Sequence, residues 1–262
     1  MRFSIITPVF IVDEDQKNEL LRCIESIKNQ TYNHEDFEHI IVNDGSIYPV
    51  DIPKYPWIKL INEPNLQRIT AYNNGFKEAK GEIFCVLDGD DEYSNVYLER
   101  VDFFFKKWPK YKIFNFGCEY RHRDGGISFR DAFRPKKKKV GHEVFGGGNV
   151  VNGTFVFHRS VYSALGAFPS HHIEDIDCDV IGYGGPRELW MTSPYDFSAY
   201  AQMEFPEIRP YFQVVHPDHP KGLVRELGNP FGNDFYLFYK YTRKYHSKPI
   251  KGKYLYIVHP RA

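Results

Sequence analysis

The first half of the chain alternates short apolar runs with helical spacings, and that order leaves few architectures open. Phe3–Thr7 is apolar and stops at Pro8, as a buried strand does. Asn18–Gln30 carries Leu20, Leu21, Ile24 and Ile27 at helical intervals. Phe37–Asn43 reads as a second strand closed by Asp44-Gly45-Ser46, and Ile58–Ile61 as a third. Thr70–Ala79 predicts a helix ended by Gly81. Ile83–Leu87 predicts a fourth strand running into Asp88-Gly89-Asp90-Asp91, and Tyr97–Lys107 a helix stopped at Trp108-Pro109. Strands separated by helices imply a parallel sheet with right-handed crossovers. Such sheets bind ligands beyond the carboxyl ends of their strands. Thr7, Asp44 and the Asp88–Asp91 cluster should therefore converge on one edge.

The second half is less regular. Ile113–Tyr120 reads as a strand and residues 121–140 as a loop or hairpin. Gly146-Gly147-Gly148 precedes an apolar run, Thr154–Phe157, and a helical segment, Arg159–Leu165. From Pro169 onward Pro, Gly, His and Asp become frequent, as in a loop-rich, ligand-facing segment. Phe231, Phe235, Tyr236, Phe238, Tyr239 and Tyr241 fall largely on one helical face, which suits core packing or a homodimer interface better than sugar stacking.

Bulk properties exclude several classes. A chain of 262 residues suits one large domain, or one with an elaborated C-terminal part. Zero formal net charge gives no global field toward nucleic acid or an anionic membrane. The local basic run of Arg134 and Lys136–Lys139 reads as a solvated loop, with contact to an anionic acceptor or lipid headgroups as the alternative. Cys23, Cys85, Cys118 and Cys178 form no C-x-x-C pair, which argues against a metal finger or redox site and fits a reducing, cytoplasmic setting. The N-terminal apolar run is too short for a secretion signal, and no run is long enough for a membrane helix, so a soluble protein is expected.

The chemistry concentrates in Asp88-Gly89-Asp90-Asp91. Carboxylates clustered at a strand end repel one another unless something positive joins them. Mg²⁺ and Mn²⁺ prefer oxygen ligands and share their shell with substrate phosphates, so few protein ligands are needed. Gly89 permits close approach to the backbone. The plainer reading is a solvated acidic turn. A dinucleotide oxidoreductase would need G-x-G-x-x-G after the first strand, where TPVFIVDED stands instead. No Walker loop is present, and the glycine-rich basic loop of a sugar-phosphate nucleotidyltransferase is missing. A non-enzymatic carbohydrate- or nucleotide-binding protein would explain the aromatic content but not carboxylates at successive strand ends.

An ordered set of segments then lowers the plain reading: SIITPVF, LRCIESIKNQ with Thr31, HIIVNDGS, Ala71-Tyr72-Asn73-Asn74-Gly75, Ala79-Lys80-Gly81-Glu82, IFCVLDGDD and, later, GGGNVVNGTFVFHRSVYSALGAFP. The set resembles the family 2 glycosyltransferases over about residues 1–180. The resemblance implies a GT-A-type α/β/α sandwich with a mostly parallel sheet. Residues 1–120 would be the nucleotide-sugar-binding half, and 121–262 the acceptor half with a C-terminal extension, within one GT-A domain. It implies a nucleotide-sugar donor, UDP-linked, a glycan or other hydroxyl acceptor, and inverting, metal-assisted transfer.

The resemblance carries roles onto matching positions. Thr7 and Pro8 would lie beside base and ribose, and Asp44 would accept a hydrogen bond from the base. Asp88 would approach the ribose or the metal's surroundings, with Asp90 as metal ligand and Asp91 able to replace it. Arg68 stands near where relatives place a basic residue by the nucleotide, one position out of register. Tyr72 stands where many relatives have Arg, which removes one expected source of diphosphate neutralisation. Glu174-Asp175-Ile176-Asp177 resembles the segment supplying the general base, giving Asp175 that role with Glu174 in support and Asp196 as rival. His171, His172, Glu174 and Asp175 are too crowded in sequence for a simple zinc site. His216, ahead of His219, would reach back to the metal, as a C-terminal His or Asp does in relatives of this fold.

Overall fold

A computed structural model describes residues 1–65, 68–132, 152–167, 241–242 and 244–259, without the side chains of 68, 69 and 152. These residues belong to one compact unit assembled from Met1–Phe133, Val151–Phe168 and Lys240–Ala262.

The strands are β1 (Phe3–Val9), β2 (Phe37–Asp44), β3 (Ile58–Glu63), β4 (Ile83–Val86), β5 (Glu92–Tyr93), β6 (Ile113–Arg121), β7 (Ile127–Arg130), β8 (Phe155–His158) and β9 (Ser247–Val258). They form one sheet in the order β3-β2-β1-β4-β8-β6-β9-β5, with β7 paired to β6. β1 to β4 are parallel, and β6 and β9 run in the same sense. β8, β5 and β7 run against them. The expected parallel sheet is present in its first four strands, and antiparallel β8 then joins it to a second parallel pair.

Alternation along each strand decides what each face buries. Phe3, Ile5, Phe37, Cys85 and Val156 share a core with Cys23 and Ile27 of helix α1 (Glu14–Lys28) and with Leu98, Val101 and Phe105 of helix α3 (Tyr97–Lys107). The other face receives helix α2 (Arg68–Glu78), whose Gly75 lies against Ile6 and Val42. There the Phe76 ring meets Phe84, Phe157 and Tyr162, the last on helix α4 (Arg159–Leu165). Two helical layers thus cover a central sheet, as the resemblance implies.

Helix α1 begins four residues before the spacing predicts, because Asp13 caps it. The Asp13 carboxylate accepts the Gln16 N–H at 2.9 Å, and Glu14 and Asp15 occupy the first turn. The expected loop or hairpin after β6 is a hairpin, with His122 N–H donating to Gly126 O across its end.

Candidate functional site

The carboxyl ends of β1, β2 and β4 open onto a cavity of about 480 Å³ lined by Pro8, Phe10, Gln16, Glu19, Asp44, Asp88, Gly89 and Asp90, among others. Four of the sequence-derived residues, Pro8, Asp44, Asp88 and Asp90, are brought together there. Asp44 ends β2, is 5% exposed, and is followed by Gly45 at φ 68°, a left-handed turn that a side chain would strain. Gly89 places its backbone against Val9: a β-carbon there would stand 2.9 Å from Val9 Cγ1.

Thr7 is placed differently from the other donor-side residues. It is fully buried, and its hydroxyl lies 2.8 Å from His39 Nε2. Burial pushes His39 down to about 3, so the imidazole is neutral and the pair links β1 to β2 within the buried sheet. Arg68 opens α2, and its side chain lies outside the described part. Asp175, Asp196, His216, His219 and the aromatic run 231–239 lie outside the described residues.

Asp88, Asp90 and Asp91 can each turn an oxygen to within 4.8 Å of the others. Two full charges at that separation repel by about 3–4 kcal/mol at an effective dielectric of about 20. Burial first, then Asp88 and Asp90, push Asp91 up to about 8, while hydrogen bonds from Tyr256 and the His259 N–H pull it back. Hard carboxylate oxygens gathered at one strand end fit a Mg²⁺ or Mn²⁺ ion, whose charge would offset that repulsion. Glu19 is also raised, by burial and then by Asp90, so the strain extends to the cavity wall.

Further residues fix this segment, and of them only Tyr72 stands out in the sequence, as a departure from the family pattern. Tyr72 OH donates to Asp88 Oδ1 at 2.8 Å. Tyr256 OH donates to Asp91 Oδ2 at 2.7 Å, and the His259 N–H to Asp91 Oδ1 at 2.9 Å. Arg22 donates to the Asp90 carbonyl at 2.8 Å and pairs with Glu92 at 3.4 Å. His259 Nε2 lies 2.5 Å from Glu92, which it holds below the usual carboxylate range. Tyr256 hides in the apolar run LYIV, and Arg22 in an ordinary helical pattern, so neither gives a chemical signal.

The raised Asp91 has a consequence for stability. Its folded value lies above its ordinary one, so the folded state holds the extra proton. The stabilising contribution is full below about pH 4 and is lost as pH rises through about 8. The metal-free thermal midpoint should carry this downward slope, and Mn²⁺ should raise the midpoint more at about pH 8 than at about pH 5. Thermal unfolding of wild type and Asp91→Asn across that range, with and without Mn²⁺, checks it. A wild-type slope identical to that of the variant would contradict it.

The model of the family "Glycosyl transferase family 2" matches residues 4–166. The glycosyltransferase YibD of Escherichia coli is 33% identical over 103 residues, 37% of this chain and 28% of that protein. YwdF of Bacillus subtilis is 36% identical over 106 residues, covering 38% and 37%. The chain therefore matches well under half the length of these curated relatives. The crystal structure of S. aureus TarS 1-349 aligns over 99% of this chain and 60% of its own, with a TM-score of 0.53 and 14% identity, a likeness of GT-A fold. With the family match running from β1 through α4, more than half of its length, the chain belongs to glycosyl transferase family 2.

Proposed function

We propose that this protein transfers a sugar from a UDP-sugar to an acceptor hydroxyl, with inversion at the anomeric carbon and with a divalent metal bound. The observation that carries this reading is the meeting of Asp44, Asp88 and Asp90 on one cavity at the strand ends. Family membership supports glycosyl transfer, and TarS, which shares the fold, was crystallised with UDP and with UDP-GlcNAc.

In this reading residues 1–120 bind the donor and residues 121–262 the acceptor. Asp44 accepts the N3–H of the uracil, and Pro8 bounds the base. Thr7, its hydroxyl engaged by His39, supports the strand beside the base and ribose. Asp90 would hold the metal, with Asp91 beside it and able to replace it. Asp88 would lie nearest the ribose or at the metal's surroundings, with His216 as a further metal contact and Arg68 beside the donor. Bound Mn²⁺ or Mg²⁺ supplies Lewis-acid neutralisation of the leaving diphosphate. Asp175 takes the acceptor's proton as its oxygen bonds to the anomeric carbon and the bond to the diphosphate breaks on the opposite face. The described cysteines, Cys23, Cys85 and Cys118, are free and buried, which suits a reducing cytoplasmic setting. Among the described residues no helix is long and apolar enough to cross a membrane.

The test is UDP release from a panel of UDP-sugars with Mn²⁺, with and without glycan acceptors. Slow hydrolysis accelerated by an acceptor is expected. Metal-dependent UDP binding with no turnover on any acceptor would point to a binding protein on the same fold.

A further inference from the structure

Buried tyrosines fasten the aspartate cluster from both sides of the sheet. Tyr72, on α2, is fully buried and gives its hydroxyl to Asp88 Oδ1 at 2.8 Å. Tyr256, on β9, is fully buried and gives its hydroxyl to Asp91 Oδ2 at 2.7 Å, while the Tyr256 hydroxyl oxygen accepts the Asp88 N–H at 3.4 Å. The His259 N–H, just beyond β9, occupies the other Asp91 oxygen. Room for the Tyr256 ring is made by Gly153, where a β-carbon would stand 1.6 Å from Tyr256 Cε2. The ring packs on Gly153 and makes an edge contact with Tyr93, whose centroid is 5.8 Å away, within a close-packed interior.

Neither phenol comes from the family pattern. Tyr72 stands where many relatives have Arg, and Tyr256 lies ninety residues beyond the matched span of 4–166. We propose that Tyr72 and Tyr256 are positioning residues that hold Asp88 and Asp91 in the orientation that receives the divalent cation; this rests on the metal-assisted reading above. The physical reason is preorganisation. A carboxylate already fixed by a hydrogen bond loses little rotamer freedom when an ion arrives, and such outer hydrogen bonds are worth about 10–100-fold in metal affinity. A phenol does this without adding positive charge, so the pull of the carboxylates on a cation is kept. β9, from the half assigned to the acceptor, thereby supports the donor site although it lines none of the cavity.

A buried tyrosine can also matter only for stability, and Tyr93 separates the two roles. It too is buried, 2% exposed, and its hydroxyl donates to a backbone carbonyl, Val86 O, at 2.7 Å. The experiment compares full-length wild type with Tyr72→Phe, Tyr256→Phe and Tyr93→Phe. It measures Mn²⁺ binding alone by calorimetry and electron paramagnetic resonance, UDP affinity with Mn²⁺, and the metal-free thermal midpoint. Tyr72→Phe and Tyr256→Phe should each weaken Mn²⁺ binding by about tenfold or more, and Tyr93→Phe by less than about twofold, whatever the three midpoints do. Tyr72→Phe tests the claim from α2 should Tyr256→Phe fail to fold. Wild-type uptake of Mn²⁺ with unchanged affinity in the folded variants would overturn this proposal alone, as would an equal loss in Tyr93→Phe. Wild-type protein that takes up no Mn²⁺, either alone or together with UDP, would overturn both it and the metal-assisted reading.

Discussion

Asp90→Asn is expected to weaken Mn²⁺-dependent UDP binding by on the order of a hundredfold, about 2.7 kcal/mol, while leaving the fold intact. The three aspartates are not equivalent. Asp91 is 4% exposed and both its oxygens accept hydrogen bonds, and Asp88 is 8% exposed with one oxygen on Tyr72. Asp90 is the most exposed of the three and lines the cavity, with its backbone pinned by Arg22. Removing its charge costs the site a direct oxygen ligand without opening a core cavity. Calorimetry of the variant with UDP and Mn²⁺ checks this, and unchanged affinity would remove Asp90 as a ligand.

Asp175→Asn should leave UDP-sugar binding near wild type and cut transfer by on the order of a hundredfold or more, since a general base acts on the chemical step. The assignment rests on sequence: Glu174-Asp175-Ile176-Asp177 follows shortly after Leu165-Gly166-Ala167, the end of α4. Transfer rates and donor affinity measured for Asp175→Asn and Asp196→Asn decide between the two carboxylates. Full transfer in the first with loss in the second would move the base to Asp196.

The donor half was readable because each of its signals is local. Phe3–Thr7, Phe37–Asn43 and Ile83–Leu87 are apolar runs broken by turn residues, and a parallel sheet carries whatever follows them to one edge. Asp44, Asp88 and Asp90 follow from that logic, Pro8 from the family resemblance, whereas Thr7, grouped with them by the same logic, is buried against His39. β9 could not be read. Its alternation is interrupted at Lys251-Gly252-Lys253, where Gly252 takes φ 64° and the register against β6 slips between Phe116 and Gly117. β5 is only two residues long, and it exists because β9 pairs with it. Contacts such as Tyr256 to Asp91 span 165 positions and leave no periodic trace. Tyr72 was visible as a departure from the family pattern, but its bond to Asp88 depends on how α2 lies on the sheet.

Calorimetric titration of a panel of nucleoside diphosphates, each with and without Mn²⁺, tests the central claim most directly. The account predicts UDP binding that appears only with the metal and that Asp90→Asn abolishes or greatly weakens. Absence of binding by every nucleotide in both conditions would contradict it and bring forward a carbohydrate-binding protein built on the same fold.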